Sequence, residues 1–281
     1  MKKNIFYCAL IIFLMPFAAL QAQEEDKHKE NTGSFKLGVF YNSSLNYYGR
    51  TDSLKSSGIF PLAEIWFNKS FYLNGAPVFV NNSTDNFQYS GTVITLGYLS
   101  KSLNEKTLTH LFVTKPLYKD NSNLVQSALK IQASGNFSML NKYINLNLGG
   151  DIKLSDKVDF GISGGIDHLF RLELPGRVIL VIDPSAYVYS GTQQFTKTYY
   201  KKSNYLFFPA INQQVSQEVS RLNILSYELS MPVVLAKNKV QVILNPAYVI
   251  PQNLINVENR PDLSERGKDM FYMTMGAKIT F

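Results

Sequence analysis

The residues nearest to a catalytic pattern are Gly161-Ile162-Ser163-Gly164-Gly165, a literal match to the glycine-framed serine of many hydrolases. That string makes a nucleophile only at a strained strand-to-helix turn, where the hydroxyl is lifted clear of the sheet. Here it lies inside an alternating segment, and no helix-period run follows it. Asp167 and His168 are close by, but His168 has the opposite parity to Ser163 and on a strand would point to the other face. A glycine cluster within a strand reads more simply as a bend or a place of close packing. The other histidines are His28 and His110 and the sole cysteine is Cys8, which makes a poor donor set for a transition metal. The chain also lacks a phosphate-binding glycine loop, a calcium loop and a zinc-protease motif. We therefore assign no catalytic residue, metal or cofactor.

A second group of polar residues offers binding rather than bond-breaking chemistry. Lys36, Glu64, Lys130, Asp159, Asp167, Asp183, Glu228 and Lys278 occur in segments that alternate with apolar residues, as do Asn74, Gln132, Asn145, Asn147 and Gln241. Period two is the mark of a strand with unlike faces. Phe35, Leu37, Val39 and Tyr41 alternate with Lys36, Gly38, Phe40 and Asn42. Leu225, Tyr227, Leu229, Met231 and Val233 alternate with Ser226, Glu228 and Ser230. Counting such segments predicts about twelve strands (10–14), at 34–43, 57–67, 70–80, 88–100, 107–117, 124–136, 141–151, 157–170, 177–189, 222–235, 239–250 and 269–281. We find no domain linker, so residues 34–281 form one all-β unit.

The ends of the chain say where such a unit works. Lys2 and Lys3, an apolar stretch at 4–20 and the small-residue site around Ala22 read as a secretory signal peptide, residues 1–22. Its removal would take away Cys8 and lower the formal net charge from +7 to about +5. Residues 23–33 are charged and read as a periplasmic stub. Beyond the signal, the longest apolar run is 205–211 and contains Pro209, far short of the roughly 20 residues a spanning helix needs. The final alternation sets Phe271, Met273, Met275, Ala277, Ile279 and Phe281 against Tyr272, Thr274, Gly276, Lys278 and Thr280. An exported chain that ends on such a strand and a terminal Phe fits an antiparallel transmembrane β-barrel of the bacterial outer membrane.

The connections test this independently. Short links follow even strands, at Asn68-Lys69, Leu174-Pro175-Gly176 and Lys237-Asn238, whereas the long links 44–56, 190–221 and 251–268 follow odd strands. An even-stranded barrel with both termini in the periplasm predicts that parity: short periplasmic turns and long extracellular loops. Charged residues are 17% of the chain, below the usual quarter, and aromatics are 13%. Both values fit lipid-facing walls with aromatic girdles, for which Tyr72, Tyr98, Tyr118, Tyr143, Tyr187, Tyr189, Tyr248 and Tyr272 are candidates.

In such a barrel the eight charged residues become pore-lining candidates that would set solute preference. The alternative is a filled interior with its charges paired, since unpaired buried charges are costly. Twelve strands lie between the eight that side chains can fill and the sixteen of open porins, so width leaves both readings open. In the longest loop, Phe195, Tyr199, Tyr200, Lys201, Lys202 and Tyr205 interleave rings with cations. They are candidates for binding sugars or lipopolysaccharide phosphates, or for folding into the barrel mouth. His110 and His168 are followed by Leu-Phe, so the His-x-Ser pair of outer-membrane phospholipases is absent. A net charge spread along an exported chain does not point to nucleic acid.

The stretches Leu45-Asn46-Tyr47-Tyr48-Gly49-Arg50, Leu180-Val181-Ile182-Asp183-Pro184-Ser185-Ala186-Tyr187, Tyr227-Glu228-Leu229-Ser230-Met231-Pro232 and Asn245-Pro246-Ala247-Tyr248 carry a resemblance. With the closing strand, they resemble uncharacterised outer-membrane β-barrel proteins of the Bacteroidetes. The resemblance implies location and fold and brings no site residues. The function expected is porin-like transport, the passive or ligand-gated passage of a small solute. The alternative is a non-transporting barrel that acts as a surface-binding or accessory subunit of an outer-membrane complex. Expected partners are outer-membrane lipids, lipopolysaccharide, and the assembly machinery through the strand ending at Phe281.

Overall fold

The computed structural model describes residues 33–51, 54–119, 129–194, 221–254, 264–265 and 267–281. Twelve antiparallel strands close into one barrel. Seven come first: β1 Ser34–Asn42, β2 Ser57–Trp66, β3 Phe71–Asn81, β4 Gln88–Lys101, β5 Thr107–Tyr118, β6 Ile131–Met139 and β7 Asn145–Leu154. The next three are each interrupted once: β8 Val158–Asp167 and Phe170–Leu174, β9 Val178–Ile182 and Ser185–Gly191, β10 Asn223–Ser230 and Val233–Lys237. β11 is Val240–Pro251 and β12 is Met270–Thr280. The pairing of β12 with β1, from Lys36↔Thr280 to Asn42↔Thr274, closes the sheet into a barrel, with Phe170–Leu174 paired on one side alone. Phe281 finishes this seam. Its N–H donates to the Phe35 carbonyl at 2.8 Å, and the two rings sit 5.9 Å apart.

Alternation decides which face each side chain takes. Phe35, Leu37 and Val39, then Leu146, Leu148 and Ile152, then Phe160, Ile162 and Ile166, and Val242 and Leu244 all lie exposed on the outer wall. A continuous apolar surface of that extent suits hydrocarbon rather than water. Among the described residues no helix is long and apolar enough to cross a membrane. The connections 67–70, 102–106, 140–144, 175–177 and 238–239 cluster at one end of the barrel, opposite the longer ones.

The interruptions in β8, β9 and β10 lie side by side because Pro184 and Pro232 have no N–H to donate. The His168 N–H reaches the Pro184 carbonyl at 3.2 Å, and that of Asp183 reaches Pro232 at 2.9 Å. The ladder skips at this point and then resumes.

The strand count and the parity of the connections agree with the sequence reading, but four details differ. β6 and β7 start later than expected. Their turn is set by asparagines: Asn145 Oδ1 accepts from the Asn141 N–H at 2.9 Å, and Asn141 Oδ1 accepts from the Tyr143 N–H at 3.1 Å. Leu225, expected outside, is buried because the register slips between Tyr189 and Ser190, so both Leu225 and Ser226 turn inward. Lys130, expected in the interior, precedes β6 at the rim, where its exposed ammonium pairs with Asp156 at 3.1 Å. Finally, Tyr72, Tyr118, Tyr187, Tyr189 and Tyr272 have interior parity and are not girdle residues; Tyr98, Tyr143 and Tyr248 lie on the outer parity or in a turn. The expected signal peptide, the stub as far as residue 32, and Phe195, Tyr199, Tyr200, Lys201, Lys202 and Tyr205 fall outside the described residues.

Candidate functional site in the barrel lumen

Strands in a barrel tilt against its axis, so residues paired across strands climb as they go round. One such row is polar throughout. Lys36 pairs with Glu64, Glu64 with Asn74, Asn74 with Thr95 and Thr95 with Thr114. The row continues through Gln132 and Lys153 to Asp159. It crosses β1 to β8 and rises from the short-turn end towards the long-loop end. A second row is apolar: Val181, Val234, Ile243, Gly276, Phe40 and Phe60 in turn. The inner wall is therefore a polar seam wound beside an apolar one.

Bulky inward rings would fill the lumen if they pointed at its axis. Instead Tyr72 lies against Gly97, Tyr187 against Gly165 and Phe40 against Gly276, each across one strand pairing. A glycine opposite each ring lets it lie flat along the wall, where any Cβ would collide with it.

The charged groups fall on two sides. On β1, β2 and β12, Glu64 Oε1 is 3.5 Å from Lys36 Nζ and 3.9 Å from Lys278 Nζ, and it accepts from Trp66 Nε1 at 2.7 Å. The Lys36 ammonium also stands 4.7 Å above the Trp66 ring. The other side, β7 to β10, is acidic. Asp151 pairs with Lys153. Asp159 accepts from Thr192 Oγ1 and the Gln194 N–H, each at 2.6 Å. Asp167 accepts from Asn145 Nδ2 at 2.6 Å and from Asn147, and Asn147 in turn accepts from Ser138 at 2.5 Å. Asp183 is an electrostatic neighbour of Asp167, and Glu228 accepts from the Tyr272 hydroxyl at 3.0 Å. Among the described residues, no Lys, Arg or His lies within ion-pair distance of Asp167, Asp183 or Glu228. Seven of the eight charged candidates thus face the interior, and Lys130 does not.

The element that sequence reasoning missed lies in the first long connection. Asn46–Tyr47 pairs with Arg50–Thr51 as a small hairpin, turned at Tyr48 (φ 53°) and Gly49 (φ 76°). Two successive positive φ values make a tight mirror-image turn, for which a glycine in the second place is suited. The hairpin does not project outward. Leu45 is fully buried against the inner wall, Tyr47 packs on Leu129, and the Tyr48 ring is 5.1 Å from that of Tyr189.

Arg50 pins the hairpin to the side of the barrel formed by β10, β11 and the segment before β12. It donates to the Leu225 and Gln252 carbonyls at 3.0 Å and pairs with Glu265 at 3.0 Å. The Gln193 amide, oriented to satisfy both neighbours, bridges this pair, donating to Glu265 at 2.9 Å and accepting from Arg50 at 3.0 Å. The available signal was the turn string Asn46-Tyr47-Tyr48-Gly49-Arg50. Nothing local tells a hairpin that folds inward from one that stands in solvent.

No protein-family model and no curated protein sequence matches the chain. Among solved structures, the KdgM porin aligns at TM-score 0.46 and 10% identity, over 88% of this chain and 99% of that one. An outer membrane channel from Pseudomonas putida F1 aligns at 0.46 and 11%, over 92% and 99%. LpxR from Salmonella typhimurium aligns at 0.45 and 10%, over 87% and 99%.

Proposed function

We propose that the chain is an integral protein of the bacterial outer membrane, and that its lumen is a porin-like route for passive passage of a small solute. The observation that carries this reading is the unbroken polar row from Lys36 to Asp159, which spans the barrel beside rings laid flat on glycines. An interior that only had to be filled would need neither feature. Lys36, Glu64, Asp159, Asp167, Asp183, Glu228 and Lys278 line the route, and the inserted hairpin narrows it. Interior acids outnumber the interior bases of the strands, so the pore prefers cations. The outer wall meets lipid and the rim meets lipopolysaccharide, while the strand ending at Phe281 engages the assembly machinery.

A second reading draws support from the hairpin. Arg50 holds it by an ion pair and carbonyl bonds, which suits a plugged accessory subunit as well as a constricted channel. Conductance across planar bilayers separates the two. The channel reading expects discrete openings whose reversal potential in a KCl gradient shifts towards that of K⁺. A current no greater than the lipid background, both for the native chain and for one lacking residues 46–51, would leave only the accessory role.

A further inference from the structure

Glu228 sits in an enclosure of tyrosines on the acidic side of the lumen. It is 4% exposed, pairs across the strands with Tyr187 and accepts the Tyr272 hydroxyl. Tyr187 and Tyr189 stack at 6.0 Å with an interplanar angle of 14°, and Tyr48 of the hairpin closes over Tyr189. Among the described residues no cationic side chain pairs with this carboxylate.

Two hydroxyls in the same enclosure are unsatisfied. Tyr189 is 5% exposed and its hydroxyl, with Glu228, Tyr48, Tyr187 and Tyr272 as its electrostatic neighbours, has no hydrogen-bond partner. Ser226, directly across from Tyr189 in the ladder, is fully buried and its Oγ has none. Buried hydroxyls without partners are uncommon and call for an explanation. Here they stand beside an uncompensated carboxylate, and π faces attract cations.

We propose that this enclosure is a binding subsite for a protonated primary amine. The ammonium presents three N–H donors in place of a lone charge, and the enclosure presents three acceptors: Glu228, the Tyr189 hydroxyl and Ser226 Oγ. A quaternary ammonium would satisfy the carboxylate and the rings but leave both hydroxyls orphaned, and a neutral polyol would leave the charge unbalanced. The inference rests on reading the lumen as a solute route, yet binding is measurable without passage.

The test is calorimetric titration of the refolded full-length protein in detergent with n-butylammonium, tetramethylammonium and glucose. Butylammonium is expected to bind most tightly. Glu228→Gln, which keeps the side-chain shape, should weaken it at least about tenfold, the loss expected for a hydrogen bond to a charged group. Tyr189→Phe should narrow the gap between butylammonium and tetramethylammonium while leaving tetramethylammonium affinity unchanged. Each variant is first checked for the heat-modifiable mobility of a folded barrel. Absence of butylammonium binding, binding indifferent to Glu228→Gln, or glucose binding of equal strength would overturn the proposal. Conductance without amine binding would sink this subsite and spare the channel; amine binding without conductance would do the reverse.

Discussion

Glu64 answers to three partners at once: Lys36, Lys278 and the Trp66 indole N–H. That convergence lets two like charges share one side of a narrow interior. Replacing it by glutamine keeps an acceptor for the indole but removes the negative charge that both ammonium groups share. Breaking a fully buried pair costs about 3–5 kcal/mol, and water in the lumen screens part of that, so Glu64→Gln should destabilise the barrel by about 1–3 kcal/mol. It should also reduce cation preference, since one interior acid is lost while the lysines beside it remain. A urea titration in lipid vesicles reads the first effect and a reversal potential the second. An unchanged urea midpoint would mean that the lysines find other partners. Residue-scale parity also redistributed the aromatics. Tyr187, Tyr189 and Tyr272 differ from Tyr98 and Tyr248 only in the face on which the ladder sets them.

At the scale of elements, the strands are regular, and on the channel reading proposed above the hairpin would set what the lumen passes. It stays inside through long-range contacts: Arg50 reaches Leu225, Gln252 and Glu265, all on or beyond β10. Arg50→Ala removes these bonds together while leaving the tight turn at Tyr48 and Gly49 intact. The expected result is a larger or more frequently open single-channel conductance with an unchanged strand content by circular dichroism. If the hairpin were held by its apolar contacts alone, the two proteins would conduct alike. The same element marks the limit of sequence reasoning. Its turn was legible from Tyr48-Gly49, but its direction was not, because an inward path depends on what the facing wall offers. Leu225 shows the same limit: a bulge turns it inward although its strand alternates without fault in sequence.

For the whole molecule, the contrast between an apolar outer wall and a polar inner seam predicts opposite tolerance to charge. Leu148 is exposed near the middle of β7, so Leu148→Arg should cost about 2–4 kcal/mol of stability in a bilayer, the penalty for an arginine at mid-depth on a lipid-facing strand. Gln132→Arg, on the inner face, should cost much less. Urea midpoints in vesicles of defined lipid compare the two directly. Equal penalties would argue that the outer wall does not face hydrocarbon.

The sequence by itself determined the period of alternation, the approximate number of strands, the parity of short and long connections and the identity of most interior charges. Those features repeat every second residue or are set by a few neighbouring turn residues, so they can be read one segment at a time. Only the tertiary structure decided that the polar residues of eight strands join into one climbing row, that rings lie flat on glycines across the ladder, and that the first connection folds inside. Register between strands, the slip at Tyr189 and Ser190, and the grip of Arg50 on Leu225 and Gln252 arise from contacts between residues distant along the chain. They exist only once the barrel has closed.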